Sequence, residues 1–368
     1  MRLILHIGPK KTGSTALQKY LYQNRNELSS RYQICYPIPH FGGEAHHELI
    51  YGINYQLNGT APYAEALGIS KIPHPIEMLQ GYIKQATESD CQTIILSSET
   101  LFELNEKQQE LLEKSTEGIE EIEYVFGVRD RVGLVVSRWQ EEVKHGYTKS
   151  LSEYIESNSV LGPNSADYYQ KILDIPAKNT NKKLKVKPFL YSDYDSEQNL
   201  FLEFLFGLSL SYVNLNLQPE EINESIKSGP LVALMTANHR INAQSSLVKS
   251  THQEAWLQPI RRALDLREYV LKNTQLEGAQ YSLISLLMFS DNKIDSSRKL
   301  NEMVIFSLKD FQLAFPNSNH DKYEQKLRTE IEKTLNEAYK VDISDFRTHL
   351  EKYKVIGIKL ADDFAARM

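Results

Sequence analysis

Between residue 3 and about residue 207, short apolar runs alternate with patterns typical of helices. Mostly apolar runs within 3–7, 93–99 and 123–129 are typical of strands buried on both faces. A further run at 185–191 contains Pro188, which favours an edge strand. The alternation predicts the α/β class, with a central parallel sheet flanked by helices.

From about residue 215 the pattern becomes helical throughout. Helices are predicted at 229–243, 255–272, 300–315 and 322–339. We therefore expect an α/β core over residues 1–212 and a mostly helical C-terminal extension over 213–368. The stretch 40–75 is rich in glycine and proline, and we expect it to be irregular.

The charge balance and the cysteine content exclude several classes of protein. The 368 residues include 42 lysines and arginines against 48 aspartates and glutamates, a net charge of −6, so we expect no nucleic-acid partner. Cys35 and Cys91 form neither a metal-ligand spacing nor a disulfide framework. Since the chain has no apolar run long enough to span a membrane and no signal-peptide pattern at its start, we expect a cytoplasmic protein without a transmembrane segment.

Residues 8–15 join the first apolar run to the first helical pattern, and their composition suits an anion. A glycine-containing loop before a helix presents backbone N–H groups and the positive end of the helix dipole. Lys11 adds a full positive charge. Hydroxyl groups stand at Thr12, Ser14 and Thr15. The predicted ligand group is a phosphate or sulfate, although the lysine precedes Gly13 instead of following it as in nucleoside-triphosphate loops.

A second candidate for anion binding follows the run at 123–128. Arg129 ends that run, and Ser137 comes eight residues later in the next helical pattern. A guanidinium group can hold a phosphate through two hydrogen bonds, and a serine hydroxyl adds a directed donor. Because the carboxyl ends of parallel strands meet at one edge of a sheet, we expect residues 8–15, 97–99 and Arg129 to converge.

Together these motifs resemble those of sulfotransferases that use 3′-phosphoadenosine 5′-phosphosulfate. The string Pro9-Lys10-Lys11-Thr12-Gly13-Ser14-Thr15 resembles their 5′-phosphosulfate loop, and Arg129 with Ser137 resembles their 3′-phosphate site. The resemblance covers about residues 1–210 and implies a P-loop nucleotide-kinase-like fold. It also implies that these loop residues, Arg129 and Ser137 bind the cofactor, that adenosine 3′,5′-bisphosphate is the product, and that no metal is required.

The same resemblance implies in-line transfer of a sulfuryl group to an acceptor hydroxyl or amine. Lys11 then stabilises the leaving phosphate, with Lys10 as a weaker candidate. The acceptor needs a general base, which is a histidine or a glutamate in this family. Glu99 is our first choice, followed by His47 and then His46. By analogy with the family the acceptor is a small molecule or a glycan, with a carbohydrate preferred, and the helical extension is expected to shape its cleft; the oligomeric state is left open.

Two other functions remain open at the level of the sequence. In an ATP-dependent P-loop phosphotransferase the loop would be a degenerate phosphate loop and Glu99 a magnesium ligand, but Arg129 and Ser137 would have no role. A non-catalytic module that binds an adenosine nucleotide would keep both phosphate sites and need no base. Purely structural interpretations also exist: an ordinary strand–turn–helix, a surface ion pair for Arg129, a solvated Ser137 and helix capping by Glu99.

Overall fold

The computed structural model of the chain describes residues 1–61, 64, 69, 71–157, 168–175, 183–191, 228–245, 257–274, 293–318, 320–340 and 342–367. The predicted domain boundary near residue 213 lies outside these residues. The described residues fall into two compact units. The first draws on Met1–Arg129, Tyr169–Asn223 and Leu313–Pro316, and the second on Asp130–Tyr168, Glu224–Gln312 and Asn317–Met368.

The first unit contains a five-stranded, entirely parallel sheet in the order β2-β3-β1-β4-β5. The strands are β1 (Arg2–Gly8), β2 (Ile34–Cys35), β3 (Thr93–Ser97), β4 (Glu121–Val128) and β5 (Lys183–Leu190). β1 lies at the centre, with β3 on one side and β4 on the other. Helices flank the sheet, so the predicted α/β class with a central parallel sheet is confirmed.

The helices of the two units are numbered together along the chain. They are α1 (Ser14–Gln23), α2 (Arg25–Tyr32), α3 (Glu48–Asn58), α4 (Pro75–Glu88), α5 (Glu106–Lys114), α6 (Arg131–Lys144), α7 (Leu151–Ser157), α8 (Gln170–Leu173), α9 (Ser228–Ser245), α10 (Leu257–Asn273), α11 (Lys293–Ala314), α12 (His320–Tyr339) and α13 (Ile343–Ala365). A 3₁₀ turn over Glu99–Glu103 follows β3. The helix expected at 199–207 lies outside the described residues.

The core of the first unit follows from the apolar pattern of its strands. β1 is buried from Leu3 through Ile7, as both-face coverage requires. On one face, Leu17 and Leu21 of α1 pack against Ile4 and against residues of the neighbouring strands. β5 lies at the edge and contains Pro188, which confirms the edge position predicted for it.

The irregular structure expected over 40–75 is wrong for residues 48–58, which form α3. Leu49 and Ile53 follow helical spacing and are fully buried. The helix ends at Gly59, whose φ of 71° is a left-handed C-cap that glycine adopts easily. The glycines of this stretch therefore include one that ends a helix, and counting them as loop residues concealed α3.

The second unit, as far as it is described, is helical. All four helices predicted after residue 215 are confirmed with shifted ends as α9 to α12, whereas α13 was not predicted. α9 and α13 pack so closely that a Cβ atom at Gly229 would lie 2.4 Å from the Tyr353 ring, and one at Gly357 would lie 2.3 Å from the Ala233 carbonyl oxygen. Among the described residues, no helix has the length and apolar character that crossing a membrane requires.

Candidate functional site

The loop after β1 lies at the carboxyl end of the central strand, between the ends of β3 and β4. β1 pairs in parallel with both neighbours, so residues 8–15, 97–99 and Arg129 come to one edge of the sheet, as predicted. Ligands of open parallel sheets bind beyond the carboxyl ends, where neighbouring connections leave in opposite directions. The central loop has this position.

Gly8 is the point at which the loop and the 3₁₀ turn approach each other. Its φ of 90° lies in the left-handed region, which suits glycine. A Cβ atom at Gly8 would lie 2.8 Å from Cβ and 2.9 Å from Cα of Glu99. The close passage of Glu99 beside the start of the loop therefore requires glycine at position 8.

Thr12 holds the loop in shape. Its hydroxyl donates to the carbonyl of Pro9 at 2.6 Å. Its side chain lies over Gly127 of β4, where an added Cβ atom would be 2.9 Å from Thr12 Cβ. Since the hydroxyl proton of Thr12 is donated within the loop, its oxygen can only accept hydrogen bonds from a ligand.

The start of α1 has the features of an anion site. Gly13 occupies the N-cap position with φ of 77°, no side chain caps the helix, and its first turn contains no acidic residue. The first N–H groups of a helix have no intrahelical partner and carry the positive end of the dipole. The Ser14 hydroxyl is buried, and it has no hydrogen-bond partner within the described part of the chain. An oxyanion here would accept hydrogen bonds from these groups.

The two lysines of the loop differ in their surroundings. Lys10 is exposed, as is Thr15, whereas Lys11 is half-buried. Lys11 also has a φ of 71°, in the left-handed region. Residues other than glycine rarely adopt this conformation, and those that do cluster at functional sites. The backbone therefore distinguishes Lys11 from Lys10 in the way that the sequence motif does.

Arg129 follows β4 and reaches the same loop. Its Nη1 donates to the carbonyl of Lys11, and its guanidinium carbon lies 5.0 Å from the centroid of the Tyr191 ring. Its backbone N–H donates to the Tyr169 hydroxyl at 3.3 Å. The residue is 9% exposed. These contacts fix the Arg129 side chain against the backbone of the anion loop.

Ser137 lies half-buried in α6, within the second unit. Earlier in the same helix, Arg131 is fully buried and donates to both carboxylate oxygens of Asp310. Burying an arginine requires such a paired carboxylate, and this pair belongs to the interior of the second unit. The predicted sharing of a 3′-phosphate by Arg129 and Ser137 stays a prediction.

Glu99 begins the 3₁₀ turn and is held on two sides. Its Oε2 accepts a hydrogen bond from Gln18 Nε2 at 2.9 Å, and its Oε1 lies 3.8 Å from His47 Nε2. Burial alone raises the pKa of Glu99, but the interactions with His47 and Gln18 outweigh burial, so the pKa lies below its ordinary value. The carboxylate is therefore ionised at neutral pH and has a fixed orientation beside the anion loop.

The adjacent histidines His46 and His47 have different environments. His47 is 30% exposed in its side chain, and its Nδ1 bonds the Ser98 hydroxyl at 2.8 Å. His46 is fully buried: its Nδ1 accepts from the Ser97 N–H at 3.2 Å, and its Nε2 bonds the Pro37 carbonyl at 3.1 Å. Burial lowers the pKa of His46 to about 3. Both ring nitrogens of His46 are thus used by the fold, whereas His47 borders Glu99.

A third histidine, His6, lies in β1. It is completely buried and bonds the Ser97 hydroxyl at 2.7 Å. Burial lowers the pKa of His6 to about 4. His6 is therefore a histidine packed in the core of the sheet.

Sequence reasoning missed Gln18 and Tyr191, and it placed Ser98 at this edge without a role. Gln18 orients Glu99, Ser98 orients His47, and Tyr191 lies against Arg129. Gln18 stands four residues after Ser14, so it shares the inner face of α1, and Tyr191 directly follows β5 at the carboxyl edge. These two positions in the sequence could have indicated that Gln18 and Tyr191 belong to the site. Among the described residues, no group of three or more histidine, cysteine, aspartate or glutamate side chains is placed to hold a metal ion.

Comparisons with models of protein families, with curated proteins and with solved structures found no match to this chain.

Proposed function

We propose that the chain is a sulfotransferase that moves a sulfuryl group from 3′-phosphoadenosine 5′-phosphosulfate to an acceptor hydroxyl or amine, on a P-loop nucleotide-kinase-like core. One observation carries this proposal. The motif that resembles a phosphosulfate loop lies at the carboxyl end of the central strand, where it leads into a helix without a side-chain cap, and Arg129 binds its backbone.

The residues present fit the cofactor. The buried Ser14 hydroxyl has no partner among the described residues, and a phosphate oxygen would supply one. Lys10, Lys11, Thr12, Gly13, Ser14 and Thr15 would hold the 5′-phosphosulfate, mainly through backbone N–H groups, and Pro9, which has no N–H, would belong to the loop that surrounds it. Arg129 would hold the 3′-phosphate, and the role that the resemblance implies for Ser137, which lies in the second unit, stays a prediction.

The cofactor, when bound, supplies the sulfuryl group and a phosphate leaving group. Lys11 would stabilise the negative charge that develops on the leaving oxygen, aided by the N–H groups at the start of α1. Donors that are fixed in advance act strongly because they need no reorganisation during the reaction. The left-handed backbone of Lys11 and the bond from Arg129 to its carbonyl provide such fixation.

Glu99 is the general base of this proposal. Its carboxylate is ionised at neutral pH, lies beside the loop and is oriented by Gln18. It would take the proton of the acceptor hydroxyl, and the neighbouring His47 would keep it ionised until then. We place His47 second as a candidate base, because its Nε2 lies only 3.8 Å from Glu99 Oε1. We place His46 last, because both of its ring nitrogens already form hydrogen bonds within the fold.

The remaining parts of the proposal concern acceptor and location. The acceptor is a small molecule or glycan, preferably a carbohydrate, by analogy with the family. Cys35 and Cys91 are free and buried, which accords with a reducing cytoplasm.

Thermal unfolding in the presence of two nucleotides tests the cofactor. Adenosine 3′,5′-bisphosphate is expected to raise Tm, and Arg129→Ala should remove most of this shift, because a hydrogen-bonded charge contributes about 1.5–3 kcal/mol to binding a phosphate. Arg240→Ala is the matched control, since Arg240 forms an exposed pair with Asp362, and its shift should equal that of the unmodified protein. A shift with Mg-ATP alone would favour the phosphotransferase and contradict the proposal.

Catalysis is tested separately from binding. The protein is incubated with cofactor that carries a labelled sulfuryl group and with a panel of glycans and small alcohols. Label transfer to an acceptor establishes an enzyme. Stabilisation by the bisphosphate without transfer to any acceptor would favour a non-catalytic binding module.

A further inference from the structure

A cavity of about 610 Å³ lies within the first unit, away from the face that α1 covers. Ile7 and Tyr124 line it, and along their strands they alternate with Ile4 and Val125, which belong to the cluster that packs against α1. Since successive side chains of a strand point to opposite faces, the cavity lies on the other face of the sheet. Its volume falls within the range of small-molecule sites, about 300–1,000 Å³.

The walls of this cavity are mostly apolar. Leu101, Leu104, Ile172 and Ile175 line it together with Ile7, and the polar first turn of α5 borders it. Backbone N–H groups of that turn are already hydrogen-bonded, because Asn105 and Gln108 form a reciprocal capping box. The start of α5 therefore offers fewer N–H groups to an anion than the start of α1 does.

One buried polar group among the lining residues has no hydrogen-bond partner in the described part of the chain. Tyr124 is 1% exposed, and its hydroxyl has no hydrogen-bond partner within the described residues. Burial raises the pKa of Tyr124, and the charge of Glu113 raises it further, so the hydroxyl stays protonated and can donate. A buried hydroxyl without an acceptor costs free energy that a suitable ligand would recover.

We propose that this cavity binds a neutral, mostly apolar small molecule that carries a hydrogen-bond acceptor for the Tyr124 hydroxyl. The apolar walls select the body of the ligand, and the hydroxyl selects a carbonyl or ether oxygen. Among the lining residues, the opposite charges of Glu106 and Lys107 offset each other, and the carboxylate of Glu113, which acts on Tyr124, disfavours an anion beside its hydroxyl. This site does not rest on the proposed sulfuryl transfer. It does share the turn that begins at Glu99, since Leu101 lies in the same turn.

The test uses the full chain and three probes of the same shape: 2-acetylnaphthalene, 2-ethylnaphthalene and 2-naphthoate. Binding is measured by saturation-transfer NMR and by titration. We expect the ketone to bind most tightly. Tyr124→Phe should weaken ketone binding about tenfold, the value of one hydrogen bond, and leave the hydrocarbon unchanged. Leu104→Trp, which fills the cavity, should abolish binding of both, whereas Arg129→Ala should leave both unchanged.

Stability supplies the second readout. Because Tyr124→Phe removes a hydroxyl without a partner, Tm should stay the same or rise. If Leu104→Trp fails to fold, Ile175→Phe serves as the filling variant. The proposal is overturned if Tyr124→Phe lowers Tm by several degrees, if the filled variant still binds the ketone, if naphthoate or the hydrocarbon binds as tightly as the ketone, or if the ketone shows no transfer at millimolar concentration.

Discussion

At the amino ends of β1, β4 and β5, charged side chains pair with one another, whereas at the carboxyl ends of β1, β3 and β4 polar groups surround a helix start that no side chain caps. At the amino end, Glu121 binds Lys183 at 2.8 Å and Lys185 at 2.6 Å. Glu123 is completely buried between Arg2 and Lys187. The charged side chains at this end therefore neutralise one another in ion pairs.

The carboxyl end is arranged differently. The first turn of α1 contains no acid, and the Ser14 hydroxyl has no partner in the described part of the chain. Glu99 contacts an amide and a histidine, Gln18 and His47, and no lysine or arginine among the contacts described for it. The same sheet therefore carries two arrangements of charge: ion pairs that stabilise the fold at one end, and at the other the groups that we propose bind a ligand.

The largest expected effect comes from exchanging carboxylates for amides at the two ends. Glu99→Gln should lower kcat/KM about 10²–10⁴-fold, the usual contribution of a general base, because the amide cannot take a proton. Glu121→Gln, the matched change at the amino end, should leave turnover unchanged. Both variants are assayed with the labelled cofactor and the best acceptor. A loss of less than tenfold in Glu99→Gln would exclude Glu99 as the base.

The pH profile sharpens this assignment. Because the pKa of Glu99 lies below its ordinary value of 4.5, its carboxylate stays ionised from neutral pH down to at least that value. Turnover limited by Glu99 should therefore be flat between about pH 8 and 5 and fall only in stronger acid. A decline that begins well above pH 5 and that His47→Gln abolishes would move the role to His47.

Lysines provide the second matched pair. Lys11→Ala should lower kcat about 10²–10³-fold, as removal of a preorganised donor does, because the developing negative charge loses its counter-charge. Lys183→Ala removes an exposed lysine that pairs with Glu121 at the amino end of the sheet. Turnover should stay within twofold, because this lysine lies far from the reacting groups and an exposed ion pair contributes little. Equal losses in both variants, measured under saturating cofactor, would contradict the division between the ends.

Much of the fold was accessible from the sequence because strand burial leaves a direct mark. β1, β3 and β4 are apolar on both faces and were found from that property, and Pro188 correctly predicted the edge position of β5. α13 was missed although Phe346, Tyr353 and Leu360 recur every seven residues and are buried. Their spacing was a usable signal, hidden among the many charged residues of that stretch.

The site was less accessible, because its contacts join residues that are distant along the chain. The anion loop and the convergence at one edge follow from strand order and needed no side-chain geometry. The approach of Glu99 to Gly8, and of Gly127 to Thr12, depends on the packing of the loop and cannot be derived from spacing. The sequence ranked His47 above His46 but gave no structural reason, which comes from the burial of His46 and from the approach of His47 to Glu99.

A smaller effect is expected from two serines. Ser14→Ala should leave Tm of the free protein unchanged, because the lost hydroxyl has no partner, yet weaken binding of adenosine 3′,5′-bisphosphate about tenfold by removing a bond to a charged oxygen. Ser115→Ala is the control: its hydroxyl donates to the Leu111 carbonyl at 2.7 Å, so stability should fall by about 1 kcal/mol with affinity unchanged. Titration calorimetry and thermal unfolding measure both quantities. An unchanged affinity in Ser14→Ala would mean that Ser14 does not face the phosphate.

The smallest effect concerns the amino end and depends on pH. Hydrogen bonds from Lys183 and Lys185 lower the pKa of Glu121 to about 2, against an ordinary 4.5. A carboxylate whose pKa is lowered by folding stabilises the fold above its unfolded value, and this contribution is lost as the pH falls towards the folded value. Glu121→Gln should therefore reduce the free energy of unfolding by about 0.5–1 kcal/mol at pH 7, since the pairs are partly exposed. The difference from the unmodified protein should shrink between pH 4.5 and 2 in urea titrations. A difference that stayed constant over this range would mean that the pairs at the amino end contribute through packing and not through charge.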